Sequence, residues 1–166
     1  MDSFEQEIVD LLPRLRRFAR ALAGHRADAD DLVQIAVERA LARRSQWIAG
    51  TRLDNWTMRI MKNAWIDEAR SRNRKRTVAV GDDFLDSVSD PAAASADMRV
   101  EAMAIRQAMA RLPDDQRVAV ALVLVEGLSY AEAAEVLEIP AGTLTSRLVR
   151  GRTALMALLS TPETRT

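Results

Sequence analysis

Residues 126 to 152, EGLSYAEAAEVLEIPAGTLTSRLVRGR, constrain the fold more than any other stretch, because they spell two short helices and the turn between them. Ser129 can cap a helix N-terminus, and Glu132, three residues on, completes the capping-box pattern. Ala133, Val136 and Leu137 then share one helical face. Pro140 disfavours helical geometry at Ile139, and Gly142 adds to the break. A second helix is predicted to open between Ala141 and Thr143, with Leu144, Leu148 and Val149 turned inward. Thr143, Thr145, Ser146, Arg147 and Arg150 are left on its outer or leading surface. Short hydroxyls in front and arginines behind suit a helix in a major groove, where side chains meet base edges and cations meet phosphate. An ordinary helical hairpin with a solvated basic face would carry the same residues, so the motif needs the rest of the chain.

The overall charge argues weakly against nucleic-acid binding, since 24 basic and 24 acidic residues cancel. Their placement reverses that. Residues 1–76 hold 16 basic and 11 acidic side chains, residues 77–97 hold five aspartates and no cation, and residues 98–166 hold eight of each sign. A basic first segment, an acidic connector and a balanced second segment therefore sum to zero, and segregation matters more for binding than the total does. The length, 166 residues, allows one domain or two small ones. The absence of cysteine excludes disulfides and thiolate metal sites and fits a reducing cytoplasm. The longest apolar run, Val118 to Val125, is too short to span a bilayer, and the acidic N-terminus MDSFEQEIVD lacks the layout of a signal peptide.

Helical periodicity dominates and strand signals are nearly absent. The expected fold is all-α: two small helical domains, residues 1–76 and 98–166, joined by a flexible acidic linker at 77–97, the second domain containing the helix-turn-helix. A first helix is predicted from Phe4 to Ala23, with Pro13 implying a kink or a later start. Asp28 or Asp30 is expected to cap a second helix reaching about Ser45. A third runs from Asp54 to roughly Arg74. After the linker, helices are predicted over Met98–Arg111 and Asp114–Glu126, the latter because Pro113 and two aspartates form a helix-start signature.

Enzymatic chemistry finds no footing. The single histidine, His25, stands beside Gly24 in a predicted loop, and no nucleophile elbow or phosphate-binding glycine loop accompanies it. The Asp28–Asp31 cluster reads as a charged helix N-terminus rather than a metal site. Neither a metal nor another cofactor is expected. The third helix carries more. Arg59, Lys62, Arg70, Arg72, Arg74, Lys75 and Arg76 lay a cationic track, Asn63 offers paired donor and acceptor groups, and Trp56 and Trp65 offer flat surfaces. Bases drawn out of a duplex need cations for phosphate, aromatic platforms for stacking and amides for base edges. Both tryptophans could equally be plain core residues.

Four blocks now stand in order: DADDLVQIAVERAL (28–41), RLDNWTMRIMKNAWIDEAR (52–70), LPDDQR (112–117) and VEGLSYAEAAEVLEIPAGTLTSRL (125–148). In this order and spacing the chain resembles the extracytoplasmic-function (ECF) group of bacterial RNA polymerase sigma factors, from about Leu11 to Leu155 apart from residues 77–97. The resemblance implies a specificity subunit that binds core RNA polymerase and directs it to promoter DNA. By it, Asp31, Gln34, Val37 and Glu38 would dock on the clamp of the polymerase β′ subunit. Trp56, Arg59, Lys62, Asn63, Asp67, Arg70 and Arg74 would grip and melt the −10 element, with the loop from Trp47 to Leu53 forming the pocket for a flipped base. Thr143, Thr145, Ser146, Arg147 and Arg150 would read the −35 element while the second domain rests on the β flap. The acidic linker would run through the RNA path as a phosphate mimic.

Two positions depart from the family pattern. Met58 stands where an aromatic is usual, leaving less stacking surface, and Thr145 stands where a base-proximal cation is common. RLRRFARAL, GTRLDNW and NAWIDE are nearest to the general-stress-response branch, whose members are held by a small anti-sigma protein. The competing readings are a sigma-like decoy that binds an anti-sigma factor without DNA, and a repressor or activator that binds duplex DNA alone. Decoys normally carry a receiver domain, for which eleven residues after Leu155 leave no room, and would be expected to have lost Arg59, Lys62, Arg147 and Arg150. A lone duplex binder would not explain the tryptophan-bearing basic helix.

Overall fold

The computed structural model describes residues 1–75 and 95–160, with the side chains of Arg70 and of residues 72–75 left out. The described residues are helical, with no strand among them. The order is α1 (Ser3–Ala23), α2 (Arg26–Ala42), a 3₁₀ turn (Arg44–Gln46), α3 (Leu53–Lys75), α4 (Ala96–Ala110), α5 (Asp114–Val120), a π turn (Ala121–Val125), α6 (Tyr130–Leu137) and α7 (Ala141–Ser160). Most of the linker predicted at 77–97, with Asp82, Asp83, Asp86 and Asp90, lies outside the described residues.

The N-terminal three helices pack around Leu15, Phe18 and Leu22 of α1, Leu32 and Ala36 of α2, and Met58 and Met61 of α3, all fully or almost fully buried. A complete capping box starts α1: Asp2 accepts from the Glu5 N–H at 2.9 Å, and Glu5 accepts from the Asp2 N–H at 3.2 Å. The helix continues through Pro13, which faces solvent, where water can serve the carbonyl that proline leaves unbonded. It stops at Gly24, whose φ of 77° a side chain would resist. The second helix begins earlier than the sequence suggested: His25 is its N-cap and Asp28 lies within its first turn, where the macrodipole favours an anion.

In the C-terminal group, Ser95 caps α4 by accepting from the Met98 N–H. The helix predicted over 114–126 changes character partway. Beyond Val120 the turn widens, with the Glu126 N–H donating to the Ala121 carbonyl five residues back. The extra residue in that turn sends Leu124 and Val125 outward and brings Glu126 inward. α6 and α7 form the helix-turn-helix, as read from the sequence. Ser129 accepts from the Glu132 N–H at 3.1 Å, and α6 closes on Glu138 in the left-handed region at φ 56°. At the crossing of α7 with α5, a Cβ on Gly151 would lie 2.7 Å from Val120. Only glycine allows that approach.

Candidate nucleic-acid interface

On α7, Leu144, Leu148 and Gly151 occupy the inward face. Thr145, Ser146 and Arg150 point to solvent as predicted, and Thr143 is half-buried at the leading turn. The Thr145 hydroxyl donates to the Ala141 carbonyl at 2.9 Å, so its remaining lone pairs face outward. Two expectations change. Val149, expected inward, is 57% exposed, because Gly151 rather than a larger side chain completes the inner face. Arg147 turns back toward α5, with its guanidinium 3.6 Å from the Asp115 carboxylate, so Arg150 carries the more open charge.

The α3 face is arranged differently. Arg59 and Lys62 do lie one turn apart, but neither is open. Arg59 donates to the Glu135 carbonyl at 3.0 Å and lies 3.8 Å from the Glu138 carboxylate. Lys62 is only 5% exposed. It borders a small cavity of about 220 Å³ whose other walls come from α3, α5, α6 and α7. Burial holds the Lys62 ammonium below its ordinary pKa, with nearby Glu138 opposing the shift and Arg59 adding to it. Asn63 is half-buried. Asp67 is exposed and 3.7 Å from Arg39. The side chains of Arg70 and Arg74, the remaining predicted contacts on this helix, lie outside the described residues.

The aromatic expectations need correction. Trp65 is buried, with the Arg117 guanidinium 5.3 Å from its ring centroid, so it is a core residue and offers no platform. Trp56 is half-buried and meets Phe4 edge-on at 6.3 Å, while Trp47 packs on the same phenyl ring at 5.5 Å. Met58 is completely buried, so the missing aromatic at that position removes no surface from this face. Ile48, in the loop from Trp47 to Leu53, is the apolar side chain that the loop displays.

An ion-pair chain covers the α3 face. Glu126, whose carboxylate is fully enclosed, accepts from Arg17 through two bonds of 3.2 and 2.7 Å, with Arg14 at 3.5 Å. Arg14 also binds Asp54 at 2.7 Å, as does Arg52 at 2.8 Å. Arg52 reaches across to Glu132 at 2.7 Å, and the Asn55 amide donates to the same carboxylate at 3.3 Å. Burial raises the Asp54 pKa, but hydrogen bonds from Arg52, Arg14 and the Asn55 N–H outweigh it and leave the value at about 2. Arg117 adds another link by donating to the Leu22 carbonyl at the end of α1, at 2.8 Å. Apart from Arg52, which lies in the loop expected to form the flipped-base pocket, none of these partners was foreseen as a functional residue. Glu126 carried a signal as the carboxylate closing an eight-residue apolar run, and Glu132 one as part of the capping box.

On α2, Asp31, Gln34 and Glu38 are exposed and Val37 is half-buried, so the four predicted docking residues share one outward surface. Gln34 and Val37 also border an open groove of about 1260 Å³ between α1, α2 and α4. Arg16, Arg20, Arg26 and Arg106 line it above an apolar floor that includes Leu12 and Met109. Burial lowers the Arg20 pKa, and the like charges of Arg106 and Arg26 lower it further. Among the described residues there is no acidic or histidine cluster fit for a metal, and no helix is long and apolar enough to cross a membrane.

Comparison with known proteins agrees with this geometry. Residues 102–155 match the family model "Sigma-70, region 4", and residues 8–62 match "Sigma2 domain of PhyR". The ECF RNA polymerase sigma factor EcfG of Rhodopseudomonas palustris is 37% identical over 158 residues, covering 95% of this chain and 86% of that protein. The ECF sigma factor SigE of Mycolicibacterium smegmatis is 34% identical over 96% of this chain and 63% of its own length. Among solved structures, the sigma factor RpoE of Bartonella quintana, in complex with the anti-sigma factor NepR, superposes with a TM-score of 0.82 at 30% identity, covering 98% of this chain and 99% of that one.

Proposed function

Since the chain belongs to the ECF group of RNA polymerase sigma factors, we propose that it joins core RNA polymerase and directs initiation at promoters by reading −35 and −10 elements and melting the latter. The observation that supports this best is the display of Thr145, Ser146 and Arg150 on one open side of α7, above an inner face of Leu144, Leu148 and Gly151. Such a helix can enter a major groove with hydroxyls toward base edges and a cation toward phosphate. Asp31, Gln34, Val37 and Glu38 form the surface offered to the β′ clamp. Arg59, Lys62 and Asn63 act after docking, on the separated strand, together with Arg70 and Arg74. The boundaries of the two working units are those read from the sequence, 1–76 and 98–166, with the second also resting on the β flap.

A small anti-sigma protein is the proposed regulator. The solved RpoE is bound by one, and the arginine-lined groove beside α2 and α4 has the charge and apolar floor to take an acidic amphipathic helix. The decoy reading is supported by the match of residues 8–62 to the sigma-like domain of PhyR. Run-off transcription with core polymerase separates the two. The sigma reading expects a promoter-dependent transcript. It also expects Arg59→Ala, Lys62→Ala and Asn63→Ala to impair open-complex formation on duplex templates and spare activity on templates already melted around −10. A chain that binds an anti-sigma protein yet never yields a transcript would establish the decoy.

A further inference from the structure

We propose that the cavity around Lys62 is a binding site for a small organic monoanion, a short branched carboxylate being the class that fits it best. The site stands on the described residues alone and on no part of the sigma reading. Its centre is a buried cation without a partner. Lys62 is 5% exposed, and no hydrogen bond or ion pair joins it to another described residue. Burial penalises the charged ammonium, and Glu138 offsets only part of that penalty, since the net shift is downward. A buried charge in this state costs free energy that a counter-ion in the adjoining space would recover. That space exists, as a cavity of about 220 Å³ beside the side chain.

The charges around the cavity leave one positive unit over. Asp115, on its wall, is 3.6 Å from Arg147, and Asp114 is 3.9 Å from Arg117. Beyond the wall, Glu138 is 3.8 Å from Arg59. Each of these three carboxylates therefore has its own arginine, and the Lys62 ammonium is the cation that remains. A cationic or zwitterionic ligand would meet carboxylates already paired, whereas a single anionic group completes the set. The rest of the wall is apolar, from Ile66, Val118 and Leu137. Inorganic anions gain nothing from such a surface, while a branched aliphatic tail is drawn onto it by the hydrophobic effect. Drug-sized ligands fill about 300–1,000 Å³, so this site calls for something smaller. The walls come from α3, α5, α6 and α7, so an occupant stabilises the arrangement that brings them together.

Isovalerate is the probe, titrated at constant ionic strength into the full chain with isoleucine, leucine and valine methyl groups labelled for NMR. Saturable shifts are expected at Ile66, Val118 and Leu137 and none at Ile8, which lies outside the cavity. Isovaleramide, equal in shape but neutral, and inorganic phosphate, charged but without a tail, should each bind at least about tenfold more weakly. Lys62→Met should weaken isovalerate by at least about tenfold. Asp115→Asn should tighten it a few-fold by removing a like charge from the wall. Circular dichroism melts check that both variants fold, and should one fail to, the other still decides. The chain carries two lysines, Lys62 and Lys75, so amine acylation read by peptide mass spectrometry gives a second measure. Lys62 should react slowly in the folded chain, and several-fold more slowly again with isovalerate, measured against Lys75. Phosphate or isovaleramide binding as well as isovalerate would overturn the assignment. So would isovalerate shifts that never saturate, that survive Lys62→Met, or that show no gain in affinity with Asp115→Asn. Because neither DNA nor polymerase is present, failure here leaves the sigma reading intact.

Discussion

The proposed recognition surface of α7 and the proposed capture face of α3 carry similar residue types, hydroxyls or amides beside cations, yet one is displayed and the other covered. On α7, packing uses only Leu144, Leu148 and Gly151, so the opposite side meets water. On α3, Met58, Met61 and Trp65 are buried along one face, the end of α6 holds Arg59 beside it, and Lys62 is enclosed as well. The difference teaches that a cation's place on a helical wheel does not decide its availability. The neighbouring helix decides it. The outer side of α7 is open in this conformation, whereas Arg59 and Lys62 on α3 become accessible only after rearrangement.

The largest expected effect comes from breaking the support of the displayed surface without touching it. Gly151→Ala gains helix propensity but sets a methyl group 2.7 Å from Val120 and 3.3 Å from the Gln116 carbonyl. Overpacking of this kind costs about 2 kcal/mol, more than the roughly 1 kcal/mol that alanine gains over glycine in a helix. Urea unfolding should show the loss, and −35 binding should weaken while Lys62 protection stays. A variant as stable as the wild type would mean that α5 and α7 can part easily.

Next in size is the contrast within α7. Arg150 faces solvent, and Arg147 is drawn toward Asp115. If both meet phosphate, each alanine substitution lowers the salt slope of −35 binding by about one. Arg150→Ala should reach that value and Arg147→Ala fall short of it, because Arg147 must first leave its carboxylate. Equal slopes would show that the Asp115 contact dissolves on DNA.

The covered face should also respond to acid. Asp54 has a folded pKa near 2, below its ordinary 3.8, so its contribution is complete above about pH 4 and disappears as pH falls through 2. After allowance for solvent screening, the contribution is on the order of 1 kcal/mol. Asp54→Asn should flatten the stability profile over that window, and an unchanged profile would remove Asp54 from the ion pairs that stabilise this face.

Much of this was legible in the sequence. The all-α fold, the capped α6, and the open side of α7 at Thr145, Ser146 and Arg150 followed from period, capping residues and turn chemistry. What escaped has physical reasons. Trp65 reads as a stacking platform only until Arg117, fifty-two residues later, is seen to cover it. Val149 was misplaced because a glycine carries no apolar signal, although Gly151 completes the inward row. The π turn at 121–125 leaves no local mark in an unbroken apolar run. Arg14, Arg17 and Arg52 looked like ordinary solvated charges, since pairing over more than seventy residues has no periodicity to reveal it.

The smallest effect tests the edge of the covered region. Glu138 occupies the left-handed conformation at φ 56°, where a residue with a Cβ is disfavoured by about 1 kcal/mol. Glycine would relieve that, at some cost in unfolded-chain entropy. It would also remove the carboxylate 3.8 Å from Arg59, a contact between partly exposed groups worth a few tenths of a kcal/mol. The two effects fall on different parts of the molecule. Glu138→Gly should raise stability by about 0.5 kcal/mol in urea unfolding, because the turn gains more than the ion pair loses. It should at the same time make Lys62 modestly easier to acylate, since one of the groups over α3 is gone. Greater stability with unchanged Lys62 protection would confine Glu138 to the turn. Lower stability with faster acylation would show that the natural glutamate is retained for its hold on Arg59, and that strain in the turn is offset by keeping α3 covered.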